Sequence, residues 1–277
     1  MGISIERKKE LSDLANKFRI DVLGTIHNAQ TGHPGGSLSV CEILTTLFFE
    51  KANVDAKNPK WPERDRVVLC KGHAAPMLYR VLAEKGFFPV EEMKTLRTLN
   101  TRLQGHPSAK DTPGVELSTG PLGLGLSACL GMACGLKLDK IDSTVFAILG
   151  DGELNEGTVW EATMAAPKFK ADNLIAIVDW NGVQLDGTND EILPLGDLHG
   201  KFEIFGWDVQ TVDGHDIEAL CDAIDNAREK NGKPKMILAK TVKGKGVSFM
   251  EGKNAWHGKP INDEEFAQAM KELGGAQ

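Results

Sequence analysis

Val145-Phe-Ala-Ile-Leu-Gly-Asp-Gly-Glu153 decides the fold. Five apolar residues in a row are too short for a helix and read as a strand buried on both faces. Gly150 and Gly152 break the pattern, and an apolar, helix-periodic stretch follows. A second such unit, Ile175-Ala-Ile-Val-Asp179, follows, and 28 residues separate Gly152 from Asn181 at its end, enough for one helix and a return strand. Two parallel strands joined this way put Asp151 and Asn181 at the same sheet edge.

Working outward, the same rhythm predicts strands over 66–70, 144–149, 174–179, 208–212 and 235–241. It predicts helices over 4–30, 37–49 (Ser37 as N-cap), 73–85, 121–138, 153–169, 216–230 and 263–273. The expected class is α/β: a parallel central sheet with helices on both faces and ligands outside the carboxyl ends of the strands. No repeat or linker divides the chain, so residues 1–277 are expected to form one domain.

The totals bound the function. A chain of 277 residues with 41% hydrophobic and 26% charged residues has ordinary globular composition. Its net charge of −7 without a basic block argues against nucleic acid as partner. Five cysteines without a CxxC pair read as reduced core thiols, and the N-terminus lacks a signal h-region, which together predict a cytoplasmic protein. The uncharged run Leu117–Leu136 is long enough for a bilayer, but its five glycines and Pro121 suit a helix packed inside a fold, so no membrane is expected.

The strand ends supply the chemistry. Magnesium takes oxygen ligands in octahedral geometry, commonly one or two from protein and the rest from phosphate and water. Asp151 offers a charged oxygen, Asn181 an amide oxygen and Val183 a backbone carbonyl. Gly150 and Gly152 let the backbone approach a phosphate, with amides of the following turn aimed at it. Four of the seven histidines (His33, His73, His106 and His215) directly follow a glycine, and His257 precedes one. They fall in breaks between elements, where functional side chains concentrate.

Gly-Asp-Gly with an Asn some thirty residues on is similar to the thiamine diphosphate motif. The neighbouring motifs resemble transketolase, in that family's order: Thr31-Gly-His-Pro-Gly35, Asp65-Arg-Val-Val-Leu-Cys-Lys-Gly-His73, Gln104-Gly-His-Pro107, Ser118-Thr-Gly-Pro-Leu-Gly-Leu-Gly125, Lys240-Thr-Val-Lys-Gly-Lys-Gly246 and Trp256-His-Gly-Lys-Pro260. The resemblance implies that Asp151, Asn181 and Val183 hold a divalent metal (Mg2+, or Ca2+ or Mn2+). It implies that His73, Gly152, Glu153, Asn181, Lys243 and His257 contact the cofactor, with Gly120, Pro121 and Leu122 along its pyrimidine side. His33, His106 and His257 would handle the two-carbon unit and its protons, and Glu156 would face a second active site across a subunit contact. Lys71 and Lys259 read as solvated surface lysines, His27 as structural, and His199 and His215 match no role in the motifs.

Full-length members of that family continue with a pyrimidine-binding and a C-terminal domain, which this sequence lacks. The sequence is then either a natural subunit or a fragment of a longer chain; the expectation is a natural subunit that works with a C-terminal partner chain, two plus two, on sugar phosphates. Competing readings are the α subunit of a 2-oxoacid dehydrogenase, a ketol transferase with an unusual acceptor, and a cofactor-binding module without catalysis. The first predicts neither Gly-His-Pro-Gly nor Trp-His-Gly.

Overall fold

The computed structural model describes residues 2–275. Five strands, β1 (Arg66–Leu69), β2 (Val145–Gly150), β3 (Leu174–Trp180), β4 (Asp208–Asp213) and β5 (Lys235–Lys240), form one sheet in the order β1-β2-β3-β5-β4, with every neighbouring pair parallel. All five lie where the strand–helix rhythm predicted them. Because side chains alternate across a strand, Phe146, Ile148, Ile175, Ile177 and Ile237 enter one apolar layer, whereas Val145, Ala147, Leu149, Ala176, Val178 and Leu238 enter the other.

The first layer is covered by α1 (Ile5–Ala29), α2 (Pro34–Ser39), α3 (Cys41–Thr46), α4 (Ala75–Lys85), α9 (Ile217–Ala227) and α10 (Asp263–Leu273). The second is covered by α5 (Leu124–Leu138), α6 (Gly157–Lys168) and α8 (Leu198–Ile204). A one-turn α7 (Asn189–Ile192) lies between β3 and α8. Helices on both faces of a parallel sheet are the expected architecture. Among the described residues no helix is long and apolar enough to cross a membrane, and the five cysteines are free thiols.

Several helix starts differ from expectation, each for a local reason. The second helix begins at Pro34, not after Ser37. Proline at the first helical position loses nothing, since its missing N–H would be unbonded there, and His33 stands at the N-cap. The helix over 121–138 begins at Leu124, because Gly123 is in the left-handed region at φ 88° and closes a turn first. The helix over 153–169 is two pieces, a 3-10 turn at Gly152–Asn155 and then α6 from Gly157. Residues 72–74 likewise make a 3-10 turn before α4, and α9 stops at Ala227, short of the expected residue 230.

Candidate active site

All five strands deliver residues to one end of the sheet. In register, Gly150 pairs with Asp179, so Asp151 and Asn181 follow directly from adjacent strand ends. The Asp151 carboxylate reaches across that gap: Oδ2 accepts from the Gly182 amide at 2.5 Å and from Asn189 Nδ2 at 2.9 Å, and Oδ1 accepts from the Gly152 amide at 2.9 Å. Asn181 Oδ1 accepts from the Val183 amide at 3.1 Å. Asp151 is 2% exposed and bonds only neutral donors, and burial, then the nearby Asp179 charge, raises its pKa. It is a buried carboxylate without a cationic hydrogen-bond partner, a condition a bound cation relieves.

Lys243, after β5, shows which way the carbonyls face. Its ammonium donates to Val183 O at 2.9 Å and Gln184 O at 3.0 Å, and lies 2.9 Å from His257 Nδ1. Two backbone carbonyls thus converge on a positive charge beside Asp151. The lysine is 2% exposed, and burial, with Lys71 second, lowers its pKa to about 8. It is not a surface lysine.

The turn between strands and helices is stitched by Glu153. Its Oε1 accepts from the Gly123 amide at 2.9 Å and its Oε2 from the Gly150 amide at 3.2 Å, joining the Ser118–Gly123 loop to the end of β2. Burial raises this carboxyl to about 7. Both oxygens are engaged with backbone, so Glu153 shapes the cradle. Glu156 is exposed at the N-cap of α6 and, with Leu122, lines the mouth of the cavity; Pro121 is also exposed, and Gly120 is half-buried.

Four loop histidines meet. The His73 and His257 rings are 4.8 Å apart by centroid, and His33 lies 5.5 Å from His73, 5.6 Å from His257 and 6.3 Å from His106. A Cβ added at Gly120 would stand 3.3 Å from His106 Cγ, so the Ser118–Gly123 loop lies directly against that ring. Burial is the main cause that keeps all four imidazoles neutral: His33 is lowered to about 4, with the Arg97 guanidinium second, and His257 to about 3, with Lys243 second. His73 is lowered well below its ordinary value by burial and Lys71, and His106 is lowered by burial and Arg97.

A cavity of about 500 Å³ is lined by Asp151, Gly152, Asn181, Val183, Lys243, His73 and His257. His33 and His106 adjoin it through the ring contacts above. His27 instead stacks on Phe266 at 4.3 Å and contacts Asp263, His199 is half-buried beside Thr211, and Lys259 lies over Trp256 and pairs with Glu265.

Two groups went unread in the sequence. Lys71, expected on the surface, is 1% exposed and forms an ion pair with Asp179, which also accepts from Ser39 and Thr241. Burial opposes the Asp179 charge, but Lys71 and those hydroxyls hold its pKa below the usual range. The available signal was an aspartate inside an apolar strand, which demands a buried partner. Arg97 donates to Thr31 Oγ1 at 2.8 Å and lies 3.3 Å from His33 Nδ1. Its signal was weaker: two arginines within Leu96–Leu103 with no acid among them.

A parallel sheet carrying this arrangement at its strand ends has the fold of the thiamine diphosphate-binding α/β proteins. The family model described as the transketolase thiamine diphosphate binding domain matches residues 11–277, and the chain belongs to that family. It is 45% identical over 268 residues to the 6-deoxy-6-sulfo-D-fructose transketolase subunit of Clostridium sp. (strain MSTE9), covering 97% of this chain and 98% of that one. It is 39% identical over 264 residues to an apulose-4-phosphate transketolase subunit from Phocaeicola vulgatus, covering 95% and 93%. The crystal structure of Campylobacter jejuni transketolase superimposes with a TM-score of 0.90 at 34% identity over 99% of this chain, which spans only 43% of that longer protein.

Proposed function

We propose that this chain is the diphosphate-binding subunit of a two-chain transketolase, which transfers a two-carbon ketol unit between anionic sugars. The observation that carries the reading is the convergence of four imidazoles on the strand ends that hold Asp151 and Asn181. In support, two relatives of matching length carry names as transketolase subunits, and the chain spans 43% of a full-length transketolase. A partner chain, in a two-plus-two assembly, would supply the pyrimidine-binding and C-terminal domains, leaving residues 1–277 as one diphosphate-binding domain. The free thiols suit a reducing cytoplasmic compartment.

The residues fit both groups. Asp151, Asn181 and the Val183 carbonyl form an all-oxygen set suited to magnesium, and the carbonyls already face a cation at Lys243. Lys243, His73, His257 and the Gly152 amide border the space for a diphosphate, with Glu153 fixing the turn and Gly120, Pro121 and Leu122 on the pyrimidine side. Bound thiamine diphosphate supplies a thiazolium that acts as electron sink for the two-carbon unit. The chain's own task is then proton traffic and orientation. His33 and His257, unprotonated at neutral pH, accept a proton from a sugar hydroxyl and return it to an alkoxide oxygen. His106 donates a hydrogen bond that orients the two-carbon unit, and Arg97 steadies the His33 ring. Glu156, exposed at the mouth, faces the second active site.

The named relatives act on sugars with a terminal sulfo or phosphate group, which makes an anionic ketose the substrate class to test. The experiment is a ketol-transfer assay on the purified chain with thiamine diphosphate and Mg2+, alone and with a pyrimidine-half partner. Transfer only in the mixture is expected; a robust rate from the isolated chain would refute the two-chain reading.

A further inference from the structure

We propose that His215 is a positioning residue that fixes the loop bearing Lys243, and so sets the geometry of the diphosphate pocket from outside it. The inference rests on the reading above, in which Lys243 contacts the cofactor diphosphate.

The geometry assigns the tautomer. The Val242 amide, always a donor, points at His215 Nε2 at 2.9 Å, so that nitrogen presents its lone pair. The proton then sits on Nδ1, which faces Glu42 Oε2 at 2.8 Å. Glu42 is itself held by Arg19 Nη2 at 2.6 Å, and both are nearly buried. Arg19 lies on α1, Glu42 on α3, His215 after β4 and Val242 after β5, so one line of polar contacts runs from the helical layer to the pocket wall.

The loop after β4 sits flush on the end of β5. The Gly214 amide donates to Lys240 O at 2.7 Å, and a Cβ at position 214 would lie 2.5 Å from Thr241 Cγ2 and 3.0 Å from Lys240 O. Only glycine permits that approach, which explains why this histidine follows one. The segment it meets is strapped residue by residue: the Thr241 amide donates to Trp180 O, the Val242 amide to His215, and the Gly244 amide to Gly35 O. Between the last two straps Lys243 spans Val183 O, Gln184 O and His257. A buried side chain with three partners cannot follow its backbone if the backbone shifts, so the imidazole that holds Val242 holds the ammonium too.

Four full-length variants test this: His215→Ala, His215→Gln (whose amide oxygen can accept the Val242 proton), Lys243→Ala, and His215→Ala combined with Lys243→Ala. By hydrogen exchange on the free chain, His215→Ala should speed exchange at Val242 at least about tenfold, the equivalent of one lost hydrogen bond. Exchange in α9 should stay unchanged, and His215→Gln should restore protection at Val242. By calorimetric titration of thiamine diphosphate in saturating Mg2+, His215→Ala should weaken binding about tenfold but add no further loss to Lys243→Ala. Additive losses in the double variant, or unchanged exchange at Val242, would overturn the proposal. If the wild-type chain binds no thiamine diphosphate even in the presence of a pyrimidine-half partner, the functional reading fails, while Val242 exchange still decides whether His215 holds the loop.

Discussion

Lys71 and Asp179 form an ion pair that is almost wholly buried, with Ser39 and Thr241 donating to the same carboxylate. Removing one partner leaves the other charge without solvent or counter-ion. Lys71→Met is therefore expected to destabilise the chain by about 3–5 kcal/mol, read by urea denaturation, and Lys71→Met with Asp179→Leu to recover part of that loss. Asp151 poses the opposite case, a buried carboxylate bonded only to neutral donors. Asp151→Asn keeps the shape and removes the charge. The Mg2+-dependent part of thiamine diphosphate binding should then fall by at least the roughly 100-fold that loss of an outer-shell partner can cost, measured calorimetrically with and without the metal. An undiminished metal dependence would place the cation elsewhere.

At the scale of elements, backbone contact decides more than side-chain chemistry. A Cβ on Gly35, in α2, would lie 2.8 Å from the Trp256 carbonyl, which cannot rotate away. Gly35→Ala must push α2 off the turn that carries His257, and should cost about 1–3 kcal/mol as overpacking. Gly131, inside α5, has no atom within 4 Å of the same added Cβ. Gly131→Ala should instead stabilise the isolated chain by about 0.5–1 kcal/mol through helix propensity. Thermal melts of the two variants should move in opposite directions. This contrast explains what was legible in the sequence. Strands β1, β2, β3 and β5 were readable because burial on both faces leaves an apolar run, while the half-exposed edge strand β4 has none and was placed by the strand–helix rhythm; the four clustered histidines were readable because each breaks the pattern beside a glycine. The starts of α2, α5 and α6 were not, since Pro34, Gly123 and the 3-10 turn after Asp151 end or begin a helix through local backbone geometry. Lys71, Arg97 and His215 stayed unread for another reason: their partners Asp179, His33, Glu42 and Val242 lie 27 or more residues away in sequence.

For the whole molecule, the clustered site makes folding sensitive to acid, and the sign follows from which state binds protons. An unfolded histidine titrates near 6.5. In the folded chain His33 waits until about 4 and His257 until about 3, and His73 and His106 are also lowered. As pH falls below about 6.5 the unfolded chain takes up protons that the folded chain refuses, so the stability these groups contribute, complete above 6.5, is lost progressively. Glu153 acts the other way: raised to about 7, it keeps its proton in the folded state while the unfolded carboxyl has lost it, which favours folding at the acid end of the same window. Asp151 shares that sign. Four groups oppose two, so urea stability should fall between pH 6.5 and 4, and His33→Asn should make the decline shallower by one proton. A bound diphosphate would add negative charge beside the imidazoles, raise their folded pKa values and weaken this linkage. At 100 times its dissociation constant, with Mg2+ present, thiamine diphosphate should stabilise the chain by about 2.7 kcal/mol. The same addition should move the acid midpoint lower than it moves in His33→Asn. Equal shifts in the two proteins would mean that His33 does not sense the diphosphate.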